Sequence, residues 1–203
     1  MNKCLAAGLA VMLAATSVAA SAQEGQFFIN GNLGKSNVSG SSQGGDDSAT
    51  AWALRLGYAW RESALSYGLE AGYADLGKTS QSGTYGYIDS NAVQHLAPYS
   101  YSRSIEGWML GGNLKYDFGS QWYLSARGGW FRPEVTTTST GFNGARYQGS
   151  YTDDRWYAGI GTGYNFSRSW SVGVSYDYFD LGSSHYSGSN YVSSYSIALE
   201  YRY

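Results

Sequence analysis

Apolar and polar positions alternate along most of this chain. At its end, Tyr195, Ile197, Leu199, Tyr201 and Tyr203 interleave with Ser194, Ser196, Ala198, Glu200 and Arg202. A β-strand sends successive side chains to opposite faces, so the segment has one greasy face and one small or charged face. The same period of two recurs over 26–36, 51–60, 64–76, 105–118, 121–132, 155–166, 170–181 and 191–203, which predicts about eight strands. Short links at 61–63, 119–120 and 167–169 take turns with long ones at 37–50, 77–104, 133–154 and 182–190. That rhythm predicts an up-and-down antiparallel barrel with short turns at one rim and long loops at the other.

Which face points inward follows from bulk. In 51–60 the set Trp52, Leu54, Leu56, Tyr58 and Trp60 opposes Ala53, Arg55, Gly57 and Ala59; in 170–178 Trp170, Val172, Val174 and Tyr176 oppose Ser171, Gly173, Ser175 and Asp177. The interior of an eight-stranded barrel has room for the second set and not for the first. The large apolar face is therefore expected to look outward, toward lipid.

Tryptophan sharpens this. All 7 Trp fall on the apolar face: Trp60, Trp122 and Trp170 beside the short turns, Trp52, Trp108, Trp130 and Trp156 at the long-loop ends. Two rings of amphipathic aromatics bracketing an aliphatic band are the pattern of a bilayer's two interfaces, with Tyr203 added at the terminus. A soluble barrel with its Trp face as core would leave the charges harmlessly wet but would not sort the indoles by height.

Composition changes the picture at one end only. The first 22 residues carry Lys3, an apolar stretch too short to span a bilayer and Ala20-Ser21-Ala22, so a cleaved signal peptide over 1–22 and a barrel domain over 23–203 are expected. The single Cys is Cys4, so the mature chain is expected to have neither disulfide nor thiol chemistry. Mean hydropathy is −0.34, a value that window averaging returns when apolar and polar residues alternate.

The stretches GLEAGYADLG (68–77), ARGGWFR (126–132) and YAGIGTGYNFSRSWSVGVSYDYFDLG (157–182) together resemble the small outer-membrane barrel group that includes the OmpA transmembrane domain, OmpX and Ail. The resemblance spans essentially the whole mature chain. It implies an all-β, eight-stranded antiparallel transmembrane barrel of the bacterial outer membrane. It implies also that the C-terminal aromatic strand is read by the barrel assembly machinery, and that lipid and lipopolysaccharide surround a monomer. Peptidoglycan anchoring does not carry over, because OmpA's periplasmic domain has no counterpart here.

Three constellations could carry chemistry. In the lumen-facing register stand Arg55, Glu70, Lys115, Arg127, Asp177 and Glu200. A buried charge is tolerable only when paired, so a salt-bridge network is expected, with Glu70 between Arg55 and Arg127 and Lys115 near Glu200, forming a polar plug in place of an open pore. Second, His185-Tyr186-Ser187 resembles the His-x-Ser pair of PagL, a lipid A deacylase. Glu200, however, lies about thirteen residues further down a strand rising ~3.3 Å per residue, too far for a triad. His95 has no matched nucleophile, so no catalytic residue is assigned.

Third, the long loops interleave Tyr85, Tyr87, Tyr99, Tyr101, Tyr147 and Tyr151 with Ser, Gly and Asn, a mix that resembles binder paratopes. They are candidates for an extracellular ligand. Asp46-Asp47 and Asp153-Asp154 lack a metal-ligand pattern, and neither metal nor cofactor is expected. Basic residues in the loops are few, chiefly Lys78, Arg103 and Arg146, so nucleic acid and heparin-like polyanions are poor partners. The expected role is structural and non-enzymatic, with adhesion through the loops or a narrow channel as alternatives.

Overall fold

A computed structural model describes residues 25–39, 48–88, 94–119, 121–141, 145–182 and 190–203. The segment 1–22, Asp46, Asp47, His185 and Ser187 lie outside the described residues, as do the side chains of Tyr85, Tyr87 and His95. Among the described residues nine strands run β1 Gly25–Val38, β2 Ser48–Glu62, β3 Leu65–Ile88, β4 Gln94–Phe118, β5 Trp122–Thr140, β6 Arg146–Thr152, β7 Arg155–Asn165, β8 Trp170–Gly182 and β9 Asn190–Arg202. Every pairing is antiparallel. β1 joins β9, so first and last strands close the sheet on itself. β6 and β7 are successive parts of one stave, both paired with β5, so the nine strands make a barrel of eight.

Closure removes the edges that an open sheet would expose. Register is held by the alternation itself, because a slip of one residue would turn every bulky side chain into the lumen. Leu124, Ile160, Val174 and Ile197 are exposed on the outer wall, while Arg55, Glu70 and Asp177 are buried inside.

The long links depart from the expected loops. β3 and β4 stay paired from Lys78↔Ser104 up to Ile88↔Gln94, and β5 and β6 from Glu134↔Thr152 to Thr140↔Arg146. Ser100 to Ser104 pair in turn with Thr140 to Thr136. Much of 77–104 and 133–154 is thus a four-stranded sheet continuing beyond the barrel, because Thr, Tyr and Ser alternate there as readily as the apolar residues do below.

Two bulges mark the outer rim. The motif Tyr-x-Asp-Leu-Gly occurs at 73–77 and again at 178–182, and in both the register shifts between Asp and the residues that follow. Gly77 (φ 87°) and Gly182 (φ 69°) adopt the left-handed conformation that such a bulge needs. Their N–H groups donate to Asp75 Oδ1 (2.8 Å) and Asp180 Oδ1 (3.2 Å), and each turn tucks its leucine, Leu76 or Leu181, into the lumen. An aspartate two residues before a glycine is a turn signal that period-two counting passes over.

Candidate functional site

The lumen is filled in two layers. Around mid-height lie the paired charges. Arg127 Nε and Nη2 donate to the two oxygens of Asp177 at 2.7 Å each, a bidentate fork. Arg55, 1% exposed, has Nη2 3.7 Å from Asp177 Oδ2 and Nε 3.7 Å from Glu70 Oε1, and its Nη1 donates to Asn32 Oδ1. Asp177 therefore stands between the two arginines, where the spacing of charges along the strands had pointed to Glu70. The reason is register. Asp177 lies opposite Gly159, which lies opposite Arg127, and the glycine leaves the space through which the two side chains meet. Glu70 instead accepts from the Tyr157 hydroxyl (2.8 Å) and Asn113 Nδ2 (3.1 Å). Two cations face two anions, so this layer is neutral.

Toward the short turns lies a second group. Lys115 Nζ is 3.2 Å from Glu200 Oε1, donates to Asn165 Oδ1 (3.0 Å) and Ser171 Oγ (3.3 Å), and sits 4.0 Å above the centre of the Tyr123 ring. Arg202 Nε donates to the same Glu200 oxygen at 2.8 Å. Arg61 and Asp117 pair at 2.9 Å near the rim. Glu200 is thus fully engaged at the end of the barrel away from the long connections.

Above the charges is a layer that reading the charged positions missed. Leu76, Ile105, Phe131, Val135, Phe179, Leu181 and Val192 form a buried apolar cluster inside the outer half of the barrel. Phe131 and Phe179 meet at 5.0 Å between ring centres. The signal was present in the sequence: these residues hold lumen-phase positions near the ends of their strands. Asn32, Asn113, Tyr157 and Arg202 were likewise in lumen phase and passed over, being single polar residues among small ones.

On the outer wall the aromatics form contacts around the barrel at two heights. Near the long connections Trp52, Tyr73 and Trp108 are in ring contact, as are Trp156, Tyr178 and Tyr191, and Trp130 lies opposite Trp156. Near the short turns Phe27, Tyr58, Trp60 and Tyr67 form one chain, with the pairs Trp122–Tyr164 and Trp170–Tyr201 further round. Tyr203 is exposed beside this lower ring, its N–H bonded to Phe27 O. Trp52 and Trp60 on β2, like Trp122 and Trp130 on β5, stand eight residues apart. That is about 26 Å along a strand and about 20 Å after a barrel tilt near 40°, close to the height of the apolar band of membrane barrels.

The sheet beyond the rim has two unlike faces. On the face continuous with the lumen lie Tyr99, Tyr101, Arg103, Tyr147 and Tyr151; Tyr101, Ser139 and Tyr147 follow one another across three strands, and Arg103 Nη2 donates to the Tyr151 hydroxyl at 3.3 Å. The opposite face is hydroxylic, with rows such as Ser80, Ser102, Thr138 and Gln148. Tyr85 and Tyr87 hold register positions opposite Ala97 and His95. The bulge at Gly77 shifts the alternation of β3 by one, which puts its odd-numbered residues in phase with those of β4.

A model of the outer membrane protein beta-barrel domain matches residues 6–203. The chain belongs to this family. Among solved outer-membrane barrels, Ail, the attachment invasion locus protein of Yersinia pestis, is 14% identical with a TM-score of 0.55, over 89% of this chain and 99% of its own. Ail in complex with the heparin analogue sucrose octasulfate gives 16% and 0.53 over the same shares. The outer membrane protease OmpT of Escherichia coli gives 12% and 0.48, over 89% of this chain and 94% of its own. At such identities the likeness is one of fold. No curated protein matches the chain in sequence.

Proposed function

We propose that the protein is a sealed, non-enzymatic structural barrel of the bacterial outer membrane that holds a stiff sheet outside the cell. The observation that carries this reading is the filled lumen. A solute would have to displace both the Phe131–Phe179 layer and the Arg55–Asp177–Arg127 layer, and neither leaves a charge free to coordinate an ion. In planar bilayers the reconstituted mature chain is expected to give no single-channel steps; discrete openings in the purified, folded protein would overturn the sealed reading.

A deacylase-like triad is disfavoured because Glu200, its acid, is engaged by Lys115 and Arg202 near the short turns. In this reading the two aromatic rings rest at headgroup level, short turns toward the periplasm, with phospholipid and lipopolysaccharide as neighbours of a monomer. Tyr195 to Tyr203 then serve as the signal for the assembly machinery.

One observation favours a second role, recognition of an extracellular protein. Tyr99, Tyr101, Tyr147 and Tyr151 are sorted to one face of the projecting sheet, while hydroxyls occur on both, and rigid tyrosines give contact area at low entropic cost. Few basic residues accompany them, so a polyanion such as the heparin analogue held by Ail is a poor fit here. The double variant Tyr101→Ala/Tyr147→Ala is expected to lower attachment of expressing cells to host-cell monolayers at least tenfold, while Ser102→Ala/Thr138→Ala leaves it unchanged. Equal effects of the two pairs would sink this second role.

A further inference from the structure

The outer wall is not evenly bulky. Between β3, β4 and β5 it carries a groove of about 430 Å³. Its floor is made by Gly112, Ala126 and Gly128, the two glycines lying directly opposite each other across β4 and β5. Its walls are Leu69, Leu114 and the stacked pair Trp60–Tyr67, whose ring centres are 5.9 Å apart. The groove starts at the lower aromatic ring and ends near mid-wall.

The fold does not demand glycine at 112, and at 128 a Cβ would be tight against one backbone carbonyl without colliding with it. A Cβ on Gly112 would approach nothing closer than Gly68 O at 3.4 Å, and one on Gly128 nothing closer than Tyr157 O at 3.2 Å. The inward-facing neighbour Gly111 differs, since a Cβ there would run into the Tyr157 hydroxyl and the Gly128 carbonyl. Lumen glycines are explained by crowding inside. The two outward ones leave an apolar hollow in the face that a member of this family turns to hydrocarbon.

We propose that this groove is a binding site for one acyl chain of a phospholipid in the periplasm-facing leaflet. The occupant follows from position and chemistry. The groove is continuous with the lipid-facing wall; the two polar residues on its lining, Asn113 and Arg127, spend their side chains inside the lumen on Glu70 and Asp177, and an unfilled hollow would forfeit dispersion contacts along its whole lining. A flexible chain can follow such a hollow without a matching ridge. Its lower end opens at Trp60 and Tyr67, where an amphipathic ring pair meets a headgroup. The site rests on the orientation proposed above, short turns toward the periplasm, which places the groove in the phospholipid leaflet and away from lipid A.

The mature chain, reconstituted in nanodiscs holding equal phosphatidylethanolamine and lipid A and then released into mild detergent, tests this by native mass spectrometry. One phosphatidylethanolamine per barrel is expected on the parent. Gly112→Leu and, on a different strand, Ala126→Leu fill the groove and are expected to lower that occupancy at least tenfold. Gly31→Leu is the control, because a Cβ at this outward glycine on β1 meets nothing within 4 Å and lies away from the groove. Matching unfolding midpoints establish that each variant is folded. Equal occupancy in all variants, no retained phospholipid on the parent, preferential retention of lipid A, or a parent dimer dispersed by Gly112→Leu would each overturn the site. Cell-surface labelling of Ser100→Cys reads the orientation separately, so a barrel facing the other way is distinguished from one without a lipid site.

Discussion

Truncation of Asp177 to alanine is expected to lower the unfolding free energy of the barrel by about 3–5 kcal/mol, the range for removing one partner of a buried ion pair. The readout is reversible urea unfolding in lipid vesicles, followed by tryptophan fluorescence. The size of the effect comes from what is left behind. Asp177 takes both hydrogen bonds of the Arg127 fork and also faces Arg55, so its loss strands the Arg127 guanidinium in the lumen and leaves Arg55 with Glu70 and Asn32 alone. Glu70→Ala is expected to cost less, because Arg55 would keep Asn32 and Asp177, and the orphaned Tyr157 hydroxyl and Asn113 amide are uncharged. A larger loss for Glu70→Ala than for Asp177→Ala would mean that Glu70, not Asp177, organises the layer.

That contrast also shows how far a one-dimensional reading reaches. Alternation sorts residues between two faces with little ambiguity, since Leu124 and Ile197 cannot share a narrow lumen with Arg127 and Glu200. It says nothing about which lumen residues meet, because that depends on stagger between strands. The Asp177–Arg127 fork crosses β7 at Gly159, a residue whose importance lies in its missing side chain. Lys115 and Glu200, separated by 85 positions in the chain, were legible as neighbours only because both lie near short turns, which fixes their height.

The long connections were harder for a different reason. Tyrosine, serine and glycine suit loops and solvent-exposed strands alike, and below the rim it is lipid that makes the alternation loud. Above the rim both faces are wet, and the period of two survives only as Tyr against Ser or Thr. The Asp-Leu-Gly bulges hide the outer layer further. They break the alternation directly after Leu76 and Leu181, so these two lumen-phase leucines fall at the margin of the period-two pattern.

The outer layer makes its own demand. Phe131→Ala is expected to cost about 3–5 kcal/mol in the same unfolding assay, the usual range for deleting a buried aromatic ring and leaving a cavity. Phe131 is fully buried, its ring lies against Phe179, and Val135 and Ile105 complete the cluster. These residues come from strands tied into a closed sheet, so the cavity has little freedom to collapse, and closely held walls put the cost toward the upper end. The effect on conductance should be different. With Phe131 gone, the Arg55–Asp177–Arg127 layer still blocks the path; with Asp177 gone, the phenyl layer does. Single variants are therefore expected to stay silent in planar bilayers, and only Phe131→Ala combined with Asp177→Ala to leak ions. A loss below about 1 kcal/mol for Phe131→Ala would mean that the outer layer is loosely packed. Openings in either single variant would mean that the two layers are one seal.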